Sequence, residues 1–191
     1  LKWVLLSLVT VCSQISFGTE SIDKFIDSHQ EEYQQLALKI WELAEVGYQE
    51  HKSSALLQES LSSKGFKVET LPYMPTGFIA EYGEGSPVIA ILGEFDALPG
   101  VSQSSSPFKE KYKNNAAGHA CGHHLFGAGS AWSAVTVKEW LSKNNRSGTI
   151  RFYGTPAEEG GSGKVYMVRD GLFDDVDVVL HWHPGSVNHT S

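Results

Sequence analysis

A chain of 191 residues, 41% of them hydrophobic and including five Trp, seven Tyr and nine Phe, can build the core of one ordinary globular domain. Lys plus Arg number 15 against 22 Asp plus Glu, a formal charge of -7, and no basic run alternates with aromatic residues. Nucleic acid is therefore not expected as a partner.

The N-terminal stretch LKWVLLSLVTVCSQISFGTE carries Lys2, an apolar run from Trp3 to Val11 and the small-x-small pattern Ser16-Phe17-Gly18. That is the layout of a secretory signal, so residues 1–18 are expected to be cleaved and residues 19–191 to be secreted or periplasmic. The apolar run falls far short of the ~20 residues that span a bilayer, and no later run comes close, so no membrane partner is expected after signal removal. Cleavage would take Cys12 and leave Cys121 as a lone exported thiol without an intramolecular disulfide partner. Metal ligation is one explanation for such a thiol, because a coordinated thiolate is held deprotonated and shielded.

From Ser21 to about Ala44, apolar residues at Ile22, Phe25, Ile26, Tyr33, Leu36, Ile40 and Leu43 follow the spacing of an amphipathic helix. A second helix is predicted over His51 to Ser63, ending at Gly65. Short β-rich runs come next, at Phe66 to Leu71, Phe78 to Tyr82 and Val88 to Leu92; the last is continuously apolar, as in a strand buried on both faces. Pro99 to Gly118 is rich in Ser, Asn, Pro and Lys and reads as a long loop, a kind often functional in compact domains. A helix from about Leu125 to Lys143, a strand at Thr149 to Tyr153, a short helix around Lys164 to Arg169 and a strand at Val176 to His181 complete the pattern. Strands alternating with helices predict an α/β fold with a largely parallel central sheet flanked by helices.

In such sheets ligands bind beyond the carboxyl ends of the strands, and the chemistry-bearing residues share that address. Glu94 and Asp96 follow one strand in GEFDALPG, Glu158 and Glu159 follow another in GTPAEEGGSGK, and His181 and His183 follow a third in HWHPG. The fourth cluster, GHACGHH, Gly118 to His124, comes after the long loop and before a helix. Taken singly, Asp96 could form a turn, the two glutamates could complement a helix dipole, and Cys121 could be a small core residue. One metal centre would account for all four clusters together. EEGGSGK also mimics a phosphate-binding loop, but Val165 stands where Ser or Thr should hold magnesium, so that reading is rejected.

Together, ILGEFDALPG, GHACGHHLFGAGS, RFYGTPAEEGGSGK and VDVVLHWHPGSVN resemble the co-catalytic metallopeptidase family of aminoacylases and glutamate carboxypeptidases. Within it they are most similar to the amidohydrolase branch and its aminobenzoyl-glutamate utilization subgroup. The resemblance implies a cysteine bridging two divalent metal ions, here Cys121, and a histidine two residues on, His123, as a ligand. It implies Glu158 as general base, Glu159 and His183 as further ligands, and Asp96 as the carboxylate that orients a metal-binding side chain. His119 falls on a motif position of unassigned role, and His124 is expected to be a helix-start residue without a metal role. Zinc suits the thiolate and imidazole donors, with manganese or cobalt compatible with the carboxylate.

The implied reaction is cleavage of N-acyl or N-aroyl amino acids, such as aminobenzoyl-glutamate, or of dipeptides by a metal-activated water. The family also uses a histidine from beyond a lid or dimerisation domain, which gives an intact protein expected to be a homodimer. Residues 19–191 accordingly read as the N-terminal part of a catalytic domain. Two other readings stay open: a non-catalytic metal-binding module, and a hydrolase with Cys121 as nucleophile and a nearby histidine as base.

Overall fold

The computed structural model describes residues 22–190; the expected signal at 1–18 lies outside them. Residues 22–28 are helical, and helix α1 spans Gln30–Leu43. The single helix expected from Ser21 to Ala44 is thus interrupted at His29. There the Ser28 hydroxyl donates to the Phe25 carbonyl, and His29 Nδ1 lies 3.0 Å from the same oxygen. Local side-chain bonds of this kind compete with the helical ladder.

Helix α2 (His51–Ser63), strands β1 (Lys67–Leu71), β2 (Met74–Glu84) and β3 (Val88–Gly93), helix α3 (His123–Lys143) and strand β4 (Gly148–Gly154) follow. A four-residue turn α4 (Glu158–Gly161), helix α5 (Gly163–Arg169) and strand β5 (Val178–Leu180) complete the order. The five strands form one sheet in the order β1-β2-β4-β3-β5. The α/β fold with flanking helices is as expected, but the sheet is mixed. Strands β4, β3 and β5 are parallel, whereas β1 with β2 and β2 with β4 are antiparallel. Only Pro72 and Tyr73 separate β1 from β2, and so short a link permits antiparallel pairing alone.

Alternation along the strands divides the core into two layers. Ile91 and Phe152 point into the larger layer with Ile40, Leu57, Leu61, Phe78 and Phe95, beneath α1, α2 and α3. Their neighbours Ala90, Leu92 and Tyr153 point to the opposite face, packed with Met74 and Met167. The expectation that Val88 to Leu92 is covered on both sides follows from this division. Strand β5 is shorter than the Val176 to His181 expected, and all three of its residues are exposed at the sheet edge.

The long loop after β3 is closed at its feet. Leu98 and Gly118 exchange both backbone hydrogen bonds at 3.0 Å, and the Ser102 N–H donates to the Ala116 carbonyl at 3.2 Å. This closure returns the chain to its starting point, so the residues before Leu98 lie beside those after Gly118. A Cβ on Gly118 would sit 2.5 Å from the Val101 carbonyl oxygen and 3.1 Å from Ser102 Cα. Gly118→Ala is therefore expected to cost about 1–3 kcal/mol through overpacking against backbone that cannot swing away. Urea unfolding of the two proteins side by side measures this; equal midpoints would show that the feet need not lie so close.

Candidate active site

Four chain segments meet beyond the C-terminal ends of β3, β4 and β5, and their common centre is the imidazole of His123. That ring is fully buried at the first position of α3. Its Nδ1 lies 2.9 Å from Asp96 Oδ1 and 3.1 Å from the Asp96 carbonyl oxygen. Two acceptors on one nitrogen place the proton there and turn Nε2 toward the cluster. Around Nε2 stand Glu94 Oε2 at 3.0 Å, His183 Nε2 at 3.3 Å, Glu159 Oε1 at 3.9 Å and Glu158 Oε2 at 4.0 Å. Cys121 Sγ lies 3.4 Å from His183 Nε2. The structure thus brings Asp96, Cys121, His123, Glu158, Glu159 and His183 to one place.

Local backbone explains how each arrives. Gly122 adopts a left-handed conformation (φ 79°) just before α3, and a Cβ there would come within 3.0 Å of Pro184. Its bare backbone lets the segment after β5 approach, which carries His183 onto Cys121. Asp96 is 1% exposed and divides its carboxylate: Oδ1 faces His123, while Oδ2 accepts the Glu159 N–H at 2.9 Å. Turn α4, which carries both glutamates, is bounded by the left-handed residues Ala157 (φ 57°) and Ser162 (φ 53°). Left-handed backbone at non-glycine residues costs roughly 1–2 kcal/mol each and persists only where surrounding contacts hold it.

Charge is unevenly distributed here. Burial works against the charged form of His123, but Asp96 and Glu94 on its two nitrogens outweigh that and raise its pKa to about 10. Burial would likewise raise Glu94, yet hydrogen bonds and charge from His123 and Lys164 bring it down to about 2. Lys164 Nζ donates to Glu94 Oε1, and His181 Nε2 lies 3.4 Å from the same oxygen. His181 therefore pairs with Glu94 and stands apart from the Cys121, His123 and His183 group. His119 and His124 pack ring to ring at 5.0 Å, and burial pushes each down to about 4, leaving both neutral. His124 occupies the first turn of α3, as expected, and His119 Nε2 lies 3.1 Å from the Ile40 carbonyl.

Two groupings among the described residues have donor atoms close enough to hold a cation: Cys121, His123 and His183, and Glu94, His123 and Glu158. Glu159 Oε1 is buried without a hydrogen-bond partner, and the equally buried Glu94 Oε2 has only His123 Nε2 beside it. Buried orphan acceptors are rare unless an unseen partner satisfies them, and here both oxygens flank the imidazole. The sequence placed Glu94 in the right loop but gave it no role. Glu50 escaped notice altogether; it is fully buried on α2's N-terminal side, and nothing in its local spacing marks it.

The model of peptidase family M20/M25/M40 matches residues 90–190, the span that contains every one of these site residues except Glu50. The chain belongs to this family. Among M20 relatives, a subunit of the p-aminobenzoyl-glutamate hydrolase of Escherichia coli (strain K12) is 46% identical, over 85% of this chain and 34% of its own length. Hippurate hydrolase of Campylobacter jejuni is 31% identical, over 81% of this chain and 39% of its own. A solved M20 structure, the dinuclear metal binding peptidase YXEP of Bacillus subtilis, superposes with a TM-score of 0.64 at 28% identity, covering 82% of this chain and 44% of that one. The chain spans a third to two fifths of the length of these curated relatives.

The contact between Cys121 and His183 resembles a thiol–imidazole nucleophile pair, but the electrostatics oppose thiolate formation. Burial, and then the carboxylates of Glu159, Glu158 and Glu94, push the Cys121 thiol up to about 11 from an ordinary value near 9. In ion-free protein at pH 8, Cys121 is therefore expected to react with iodoacetamide on the order of 100-fold more slowly than a free peptide cysteine. Mass-spectrometric time courses measure the rate; alkylation as fast as in the peptide would favour the nucleophile reading.

Proposed function

We propose that this chain carries the catalytic residues of a metal-dependent amidohydrolase that cleaves N-acyl or N-aroyl amino acids, p-aminobenzoyl-glutamate among them, or dipeptides. The observation that carries this reading is the convergence of thiol, imidazole and carboxylate donors around His123 Nε2, with Glu159 Oε1 buried there and unpartnered. Membership of the M20/M25/M40 family and the activities named for its relatives support the substrate class.

In this reading Cys121, His123, Glu159 and His183 hold two divalent ions. Thiolate and imidazole donors favour zinc, and a carboxylate accommodates manganese or cobalt. When bound, the ions supply Lewis acidity that acidifies water and stabilises the oxyanion of amide hydrolysis. The protein's own groups do the rest. Asp96 fixes the His123 tautomer from behind and, through the Glu159 N–H, sets where the neighbouring carboxylate stands. The Glu158 side chain is 42% exposed, so it faces both solvent and the cluster. That position suits a base that takes a proton from attacking water and returns it to the departing amine nitrogen. Lys164 holds Glu94 ionised beside His123, adding negative charge on the side opposite Asp96.

Glu158→Gln keeps the shape and removes the base. It is expected to lower kcat on N-aroyl amino acids by ~10² to 10⁴ while metal content, read by atomic emission, stays unchanged. Chelation should abolish wild-type hydrolysis and zinc or manganese should restore it. Activity that survives chelation but not alkylation would return Cys121 to the role of nucleophile.

A further inference from the structure

The two glutamates ride on a turn that has little means of holding itself in place. Turn α4 is four residues long, with left-handed backbone at each end. Its internal anchor is one hydrogen bond, from the Gly161 N–H to the Ala157 carbonyl at 2.9 Å. Other contacts come from outside. One is Asp96, already described. Two further hydrogen bonds come from the link between α1 and α2, Glu45 to Glu50, which contributes no atom to the donor cluster.

Glu50 Oε1 accepts the Ala157 N–H at 2.8 Å, from a side chain with no solvent exposure. Tyr48 Oη donates to the Gly161 carbonyl at 2.7 Å. The same link also grips the Asp96 loop: the Ala97 N–H donates to the Glu45 carbonyl at 2.8 Å, and Val46 bridges Ala97 in parallel register. Glu45 is itself pinned by the Ser53 N–H and hydroxyl at 2.7 and 2.8 Å, inside the first turn of α2. The link therefore holds both ends of the glutamate turn and the foot of the Asp96 loop against one rigid helix.

We propose that Glu50 is a positioning residue: by accepting the Ala157 N–H it fixes the left-handed backbone from which Glu158 reaches the substrate. A carboxyl oxygen accepts this bond whether or not the group is ionised. Burial, the first cause, pushes Glu50 up to about 7, against hydrogen bonds that pull it down. The geometry does not depend on that value. The inference rests on the reading of Glu158 as proton carrier, so its test includes a measurement independent of turnover.

Two variants fill nearly the same buried space. Glu50→Gln keeps a carbonyl acceptor for the Ala157 N–H, whereas Glu50→Met offers only a weakly accepting thioether sulfur. In the metal-loaded protein, Glu50→Met is expected to lower kcat on the order of 10- to 100-fold, the scale of an ångström-sized misplacement. KM should stay within about twofold and metal content unchanged, because neither depends on the aim of Glu158. Glu50→Gln should recover most of the lost rate. Independently of catalysis, amide exchange at Ala157 should speed up in Glu50→Met and stay slow in Glu50→Gln.

A folded Glu50→Met protein with normal kcat and a protected Ala157 amide would overturn the proposal. So would loss of rate that is fully explained by loss of metal, or a Gln variant no better than Met. Should Glu50→Met fail to fold, Tyr48→Phe carries the test from the surface. Faster exchange across residues 157–161 with a lower kcat and intact metal content supports the clamp, and no change in either refutes it. If the wild-type protein hydrolyses no amide at all, the proposed function fails, while the exchange data still decide whether Glu50 holds the turn.

Discussion

The site depends on the carboxylate of Asp96. This buried group accepts the imidazole N–H of His123 on one oxygen and the backbone N–H of Glu159 on the other. In doing so it joins the end of β3, the start of α3 and the turn after β4, three segments widely separated along the chain. A charge buried without partners would be costly, and a charge accepting strong donors on both oxygens is tolerated. Removing either donor would leave Asp96 under-satisfied in the interior, so the segments hold one another in place. The loop closed at Leu98 and Gly118 makes the arrangement possible, because it delivers His123 to within reach of a residue 27 positions earlier.

That closure also shows what the sequence can and cannot disclose. Residue types reveal which groups carry chemistry, and strand-end positions reveal that they share a rim, because side-chain period and the geometry of parallel sheets are local or generic rules. From these alone the four clusters could be placed on one rim; the family resemblance then singled out Asp96, Cys121, His123, Glu158, Glu159 and His183 within them, and the structure does bring those six together. The direction of β2 was less legible. Its run continues beyond Phe78 to Tyr82, chiefly on the N-terminal side, through Pro75 and Gly77 whose types do not mark a strand, and its pairing with β4 is a tertiary choice. Glu50 was illegible for a similar reason. An acid beside a helix start looks like any dipole-complementing residue until the partner 107 positions away is seen.

Electrostatics connect this arrangement to its chemistry. Glu94, Asp96, Glu158 and Glu159 crowd one imidazole, and Lys164 pairs with Glu94 alone among them. Burial and then this negative charge raise the thiol of Cys121, and against burial the same charge raises the imidazole of His123, so each group holds its proton. A dication reverses both preferences together, since it repels protons from the very atoms that bind it. On the proposed function, protons and metal would compete for one set of donors, and uptake of an ion would release protons.

Rigidity is distributed unevenly among those donors, and the distribution has a consequence for assembly. His123 and its supports Asp96 and Glu94 are at most 2% exposed and belong to the main core layer or its edge. His183, by contrast, follows a three-residue edge strand whose side chains face outward, and its ring is held by Cys121, His123 and the carbonyl of Pro184. One half of the donor set is thus preorganised by packing, while the other is held mainly by contacts to the first half. Preorganised donors bind without an ordering cost, and the less anchored ones must be ordered by the ion itself. On the proposed function, His123 and the buried carboxylates would offer an ion a fixed wall, and the His183 segment would be the part of the donor set whose order depends on contacts made there.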